Sequence, residues 1–488
     1  MEPIHKLGIN PAIAKALSRG MIYPAMVVYL GYGLILMAKD PGGLSFFILA
    51  AVSLALVIRI ELLIYVFLTW SLTANYWISN LELPWGVSYL DEFLTMLALG
   101  YLLAFAASKR RKFKRTPFGK CLFGYVGIVT VSGILHRVPP KVFVEFLLGF
   151  TKPIIWFYFL INLDLDAGFY RRLVKFIIVF CLIQALLNTM WMLGINPLPN
   201  REFPSPVAVI EDLGRYDDYA TGLSGSSRDI AYLTSTCLII VTGYYAYQRQ
   251  KRYLLLMSVL LYGLALTEVK MVYILLPLSV LCTILAATPR TAMRMAGILY
   301  LCIFTVLLIF LANAFHERTI KGLQAKEHYV LGLKAKEAGY RNILSFIKND
   351  PIFVFVGHGP GMYGSSAAIR SRTPLAQKYI IPSFSTRVSF ANATSGLIAI
   401  AGDAGPIALF LYLVILLLLY RFALRGLKRT QNTDLKIYSF TVATGIVLMI
   451  ILASIRLGAG GFGNPFLDYI IWLTAAAAYS GFHRSEDE

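Results

Sequence analysis

Eight residues, Gly357-His358-Gly359-Pro360-Gly361-Met362-Tyr363-Gly364, set four glycines and a proline around one histidine. Glycine lets backbone come close to a ligand, and successive amides in such a turn can converge on an anion. His358, with a reference pKa of about 6.5, could orient or deprotonate a hydroxyl. A purely structural turn would use the same glycines, so the motif alone leaves both readings open. Arg341, just after a Gly-Tyr pair, is the cation that could return to the same spot. A second cluster runs from Arg215 to Asp229, where a Thr/Gly/Ser-rich stretch lies between Arg215 and Arg228. Guanidinium groups hold phosphate bidentately. The alternative is a solvated loop in which Asp229 caps a helix and pairs with an arginine. Asp217-Asp218 could hold a divalent cation, although adjacent loop carboxylates are more often only solvated.

Three further charges stand in apolar surroundings. Lys270 ends the Thr267-Glu268-Val269-Lys270 turn, Asp403 follows a run opened by Asn392, and Lys152-Pro153 interrupts a third run. A charge at the centre of a membrane helix costs at least ~2.5 kcal/mol, which makes each a functional hypothesis. Lys270 is close enough to an interface to snorkel. Lys152 has Glu145 two turns away on the same face, and the pair reads either as a functional site or as a device that kinks and registers a bundle.

The elements that must position these groups are membrane spans. The chain is 58% hydrophobic and 15% charged, with mean hydropathy +0.67. Apolar runs repeatedly reach the ~18–20 residues that cross a bilayer as helix. They fall at 21–37, 44–58, 62–78, 90–107, 121–136, 142–162, 173–192, 229–247, 253–267, 271–288, 295–315, 393–420, 437–456 and 465–482. The expected fold is all-α: a polytopic integral membrane protein of about 12–14 transmembrane helices with a large, partly helical periplasmic loop. Residues 1–192 form the N-terminal helices, 193–228 a first periplasmic segment and 229–315 the central helices. Residues 316–392 form the large loop, and 393–488 the C-terminal helices and a cytoplasmic tail.

The net charge of +19 suits nucleic acid less well than topology. With both termini inside, Lys109 to Lys120, Arg249/Lys251/Arg252, Arg290/Arg294 and Arg421 to Lys436 all fall on the cytoplasmic side, as the positive-inside rule requires. The large loop breaks that pattern, with eleven Lys/Arg against four acids. Long loops translocate largely regardless of charge, so these cations are either merely solvated or a device for an anion at the membrane surface. The loop's first half, 316–348, reads as helix ended by Asn349-Asp350-Pro351, and Ile352 to Val356 reads as a strand-like run. Five cysteines, all within or at the edge of spans, imply neither a disulfide framework nor a thiolate metal site. The first twenty residues lack the layout of a cleavable signal, and no repeat at a fixed period is present.

The order of these elements resembles the O-antigen polymerase and O-antigen ligase family of lipid-linked saccharide transferases. The resemblance rests on Arg215 opening a Gly/Ser-rich segment, the Thr-x-x-basic turn at 267–270, and Arg341 ahead of Gly-His-Gly-Pro-Gly-x-Tyr-Gly. It rests also on Asn392 leading to Asp403 before glycine at the next span. It covers about 200–465. Two positions depart from the family pattern: Lys270 stands where arginine is more usual, and Arg228-Asp229 where a small residue or Asn is.

The resemblance implies a metal-independent enzyme without a cofactor. It would transfer a glycan from an undecaprenyl-diphosphate-linked oligosaccharide to an acceptor glycan at the periplasmic face of the bacterial inner membrane. The product would be O-antigen or exopolysaccharide. Arg215 and Arg341 would neutralise the departing diphosphate, with His358 as the third catalytic residue acting on the acceptor hydroxyl. Lys270, Arg228, Gly359, Gly361, Tyr363, Asn392 and Asp403 would bind donor or glycan. The partners implied are the lipid bilayer and, optionally, a chain-length regulator protein, with no nucleic acid. Two alternatives remain: a ligase acting on a lipid A-core acceptor, and a lipid-linked oligosaccharide flippase.

Overall fold

The computed structural model describes residues 60–81, 90–107, 113–163, 165–193, 223, 227–267, 269–287, 322–379, 395–455 and 465–487. The expected spans at 21–37, 44–58 and 295–315 lie outside the described residues, as do Arg215, Asp217, Asp218 and Asn392.

The chain is an all-α polytopic membrane protein, and no strand occurs among the described residues. Its bundle helices are α1 (Ile60–Leu81), α2 (Leu90–Ala107), α3 (Gly119–Leu135), α4 (Pro140–Asn162), α5 (Ala167–Met192), α6 (Ser227–Gln248), α7 (Lys251–Leu266) and α8 (Lys270–Ala287). The long loop contributes α9 (Gly322–Asn349), α10 (Phe353–Val356), α11 (Ser366–Arg370) and α12 (Pro374–Tyr379). The chain returns to the bundle as α13 (Gly396–Ala404), α14 (Pro406–Arg429), α15 (Thr433–Ile455) and α16 (Pro465–Asp487). Among the described residues, five helices are long and apolar enough to cross a membrane by length and composition: Pro140–Asn162, Ala167–Met190, Asp229–Gln248, Pro406–Arg429 and Thr433–Ser454. Leu103, Phe123, Leu186, Leu255 and Phe410 are exposed on the outside of the bundle, as side chains facing hydrocarbon should be.

Local chemistry explains the boundaries. Pro140 starts α4 and Pro406 starts α14, where a missing N–H costs nothing. Asn349-Asp350-Pro351 ends α9, as the sequence suggests. Helices α15 and α16 are central, packing on each other and on α14, α6 and α4. Between α1, α4 and α16, Phe67 stacks on Trp156 at 3.9 Å, while Trp472 packs edge-on against Phe118 and Phe157.

Connections segregate to two ends. At one end Arg171 reaches Asp434 (2.6 Å), Arg172 reaches Glu61 (3.2 Å) and the Tyr479 hydroxyl donates to the Arg115 carbonyl (2.6 Å). At the other, the α3–α4 turn, the long loop and the α13–α14 junction meet, with Ser132 Oγ donating to the Val356 carbonyl. Arg115 and Asp434 thus lie within segments expected on one side, while Arg290 and Arg294 lie outside the described residues.

Four expectations need correction. Ile352 to Val356 is helical, because Asp350 Oδ1 accepts from Ile352 N (3.0 Å) and turns the chain straight into α10. Within the run 393–420 the described residues form two helices, divided at Gly405, whose φ of 94° no continuing helix allows. Lys152 pairs with Asp91 (2.7 Å) and Glu92 (3.0 Å) of α2, and Glu145 faces Arg370 of the loop instead (3.9 Å). Asp229 lies inside the first turn of α6, which begins at Ser227, so it is not the cap.

Candidate functional site

The loop holds its own small core. Ile343 of α9, Phe353 of α10, Tyr363, and Ile398 and Ala401 of α13 are buried together, flanked by Phe346, Ile347, Ile369, Leu375, Tyr379 and Leu409. Burying a ring such as Phe353 or Tyr363 contributes roughly 1.5–3 kcal/mol, enough to hold a cap that contains no disulfide. Burial pushes the Tyr363 phenol up to about 12.

The Gly-His-Gly turn sits between this core and the bundle, and the anion that its amides hold is the protein's own. The fully buried Asp403 carboxylate accepts from the amides of Tyr363, Gly364 (3.4 Å) and Ser365 (2.9 Å). His358 N–H donates to the Gly402 carbonyl (2.9 Å), so the turn is fastened to α13 by two adjacent residues. The glycines make that approach possible. A Cβ on Gly357, whose φ is 60°, would lie 2.5 Å from the Gly405 amide nitrogen. Added at Gly359 it would meet His136, and at Gly361 it would meet Val142, both beside the α3–α4 turn. A Cβ on Gly402 would enter the Tyr363 ring.

His358 itself is half-buried. Its ring packs edge-on against Phe346 (centroids 4.5 Å apart) and beside Phe353 (4.8 Å), and its Nε2 makes no hydrogen bond among the described residues. Burial first, and then the neighbouring His136, lower its pKa, so the ring is neutral near pH 7. A neutral imidazole with an unengaged nitrogen can accept a proton from a hydroxyl brought to it.

The structure brings His358, Gly359, Gly361, Tyr363 and Asp403 into one site, and it turns Arg341 away from it. Arg341 lies on the solvent face of α9, bonded to Glu337, with side chains 76% and 59% exposed. One residue on is about 100° round a helix, so it is Asn342 that meets Tyr363, and Phe346 one turn later that meets His358. Lys270 opens α8 after the expected turn, and Arg228 stands second in α6.

Sequence reasoning missed the cations carried by the segments that pack against the turn. Arg137 follows His136, Lys141 precedes Val142, and Arg370 and Arg372 come from α11 and its end. Their signal in the sequence is faint, since they come one or two at a time at the ends of helices. No family model, curated protein or solved structure matches the chain.

Proposed function

We propose that this protein is a glycosyltransferase that moves a glycan from a lipid-linked diphosphate carrier to an acceptor hydroxyl at the membrane surface. The observation that carries the reading is the half-buried His358, its Nε2 unengaged, on a clamped glycine turn beneath a folded basic loop. The acceptor oxygen attacks the anomeric carbon as the bond to the diphosphate oxygen breaks. The hydroxyl proton passes to His358 Nε2, and the lipid diphosphate leaves with the bonding electrons, which inverts the anomeric centre. Cations offset the charge that grows on the leaving group. Arg215 and Lys270 are proposed for that task along with the loop. Arg341 joins them only by leaving Glu337.

The favoured product is a polymer of repeat units made at the periplasmic face of the inner membrane, and transfer to a lipid A-core sugar is the alternative. The test is transfer by the purified chain in proteoliposomes, given an undecaprenyl-diphosphate-linked oligosaccharide and either acceptor. His358→Gln should lose turnover while donor binding persists. Wild-type turnover in a normally folded His358→Gln variant would make the turn purely structural.

One observation favours a second reading, a lipid-linked oligosaccharide flippase: Lys152 is a charge buried in the bundle, paired with Asp91 and Glu92 of the first turn of α2, and transporters keep charge inside their bundles. Translocation of a fluorescent lipid-linked glycan across proteoliposomes, without glycan transfer, would establish it.

A further inference from the structure

We propose that Arg137, Lys141, Arg370 and Arg372 form a cradle for a phosphate-bearing headgroup beside His358, and that its occupant is a lipid diphosphate. The choice of a diphosphate lipid rests on the transferase reading, whereas the cradle rests on its own geometry.

Two short segments converge there. The α3–α4 turn touches the glycine turn at both ends, His136 against Gly359 and Val142 against Gly361, and α11 packs on α4. Arg137 and Lys141 are chain neighbours of those two contacts, and Lys141 lies one helical turn before Glu145. Glu145 is 3.9 Å from Arg370, too far for a hydrogen bond, so the guanidinium keeps its donors. Arg137, Lys141 and Arg372 are exposed and make no ion pair among the described residues. Among the described residues, Arg370 is thus the one cation of the four with a carboxylate within 4.0 Å. At the opposite end Arg171 and Arg172 are held by Asp434 and Glu61.

Two of the four also share a backbone feature, which Arg249 between α6 and α7 shows as well. Arg137 (φ 49°) and Arg372 (φ 48°) each occupy the left-handed position that closes a helix. In each case the next amide reaches back to form the wider closing bond, Val138 N to Gly133 O and Thr373 N to Ala368 O. Glycine is the residue at home there, yet both positions carry a guanidinium, on the two segments that flank one turn. A planar fork matches phosphate oxygens two at a time, and two such forks with Lys141 and Arg370 suit a diphosphate better than a single charge.

The test uses the full chain in neutral-lipid nanodiscs with three probes: undecaprenyl diphosphate, inorganic pyrophosphate and phosphatidylglycerol. Arg137→Gly and Arg372→Gly keep the backbone conformation, so folding is not at risk. Each should weaken binding of undecaprenyl diphosphate by about tenfold, and Arg370→Glu by more. Glu145→Gln should tighten it a few-fold by removing the competing carboxylate. Arg249→Gly, the matched left-handed arginine between α6 and α7, should change nothing.

Wild-type affinity in Arg137→Gly and Arg370→Glu overturns the cradle. Equal binding of phosphatidylglycerol overturns the diphosphate assignment, and binding of pyrophosphate alone overturns the lipid one. If the cradle binds as expected but no glycan is transferred, the transferase reading fails and the cradle stands. If transfer proceeds at full rate in all cradle variants, the reverse holds.

Discussion

Asp403, at the loop end of the bundle, and Lys152, inside it, are both buried charges, and they are satisfied by different kinds of partner. Asp403 takes backbone amides from the loop, three in a row, so its carboxylate fixes the path of a main chain. Lys152 takes two carboxylates from adjacent residues of α2, so its ammonium fixes how one helix sits against another. Backbone groups cannot be traded for others, because every residue carries them in the same place. Side-chain partners can be exchanged as a set, and well-packed apolar replacements of buried ion pairs are often neutral or stabilising. The two sites should therefore respond in opposite ways to compensation.

The largest effect expected is at Asp403. Asp403→Ala orphans three amides and should cost about 4 kcal/mol or more, releasing the loop from the bundle. Limited proteolysis in detergent should then cut between 350 and 379, and no second substitution should restore protection. Lys152→Met should cost about 3 kcal/mol by leaving Asp91 and Glu92 facing each other without a cation. Here compensation should work: adding Asp91→Asn and Glu92→Gln recovers most of the loss in thermal unfolding. If that triple variant stays as unstable as Lys152→Met, the contrast between the two sites is lost.

Gly357→Ala should cost about 2–3 kcal/mol, from a strained φ and contact with the Gly405 backbone, and should loosen only the loop. A smaller effect follows from His358. Its pKa is lowered in the folded protein by burial and by His136, so the neutral ring is the form the fold favours. That contribution is present above the unfolded value and is lost as pH falls through the folded one. Loop protection should therefore weaken below about pH 6, and His358→Gln should flatten the dependence. The smallest is Arg341→Ala, which removes an exposed pair with Glu337 and should shift stability by only about 0.3–0.5 kcal/mol.

The same contrast explains what could be read from the sequence. Spans were legible because hydropathy is a local property: the run at 90–107 coincides with Leu90–Ala107, and that at 142–162 lies two residues from Pro140–Asn162. The break at Gly405-Pro406 was present as a dipeptide, but averaging over a long apolar window carries straight across it. The glycine turn was legible as an anion nest, and Asp403 as a costly charge. That the second fills the first depends on a contact between residues 40 apart, which no periodicity encodes. Lys152 misled for the same reason, since Glu145 shares its face in sequence while Asp91 and Glu92 meet it only through packing. Arg341 and the cradle arginines show the limit most clearly. A helix decides by 100° steps which of Arg341 and Asn342 looks inward, and a turn's neighbours depend on the tertiary fold.

The Asp403 clamp also has a consequence in time. The acceptor for the turn's amides lies downstream of them in the chain, beyond the rest of the loop and in the helix that re-enters the bundle. During synthesis, at some 5–20 residues per second, the glycine turn emerges several seconds before the carboxylate that fastens it. Until Gly396–Ala404 is in place the loop has neither its clamp nor Ile398 and Ala401 of its core. The residues around His358 thus come together only after the following helix has inserted, so a half-made chain presents no assembled site at the membrane surface.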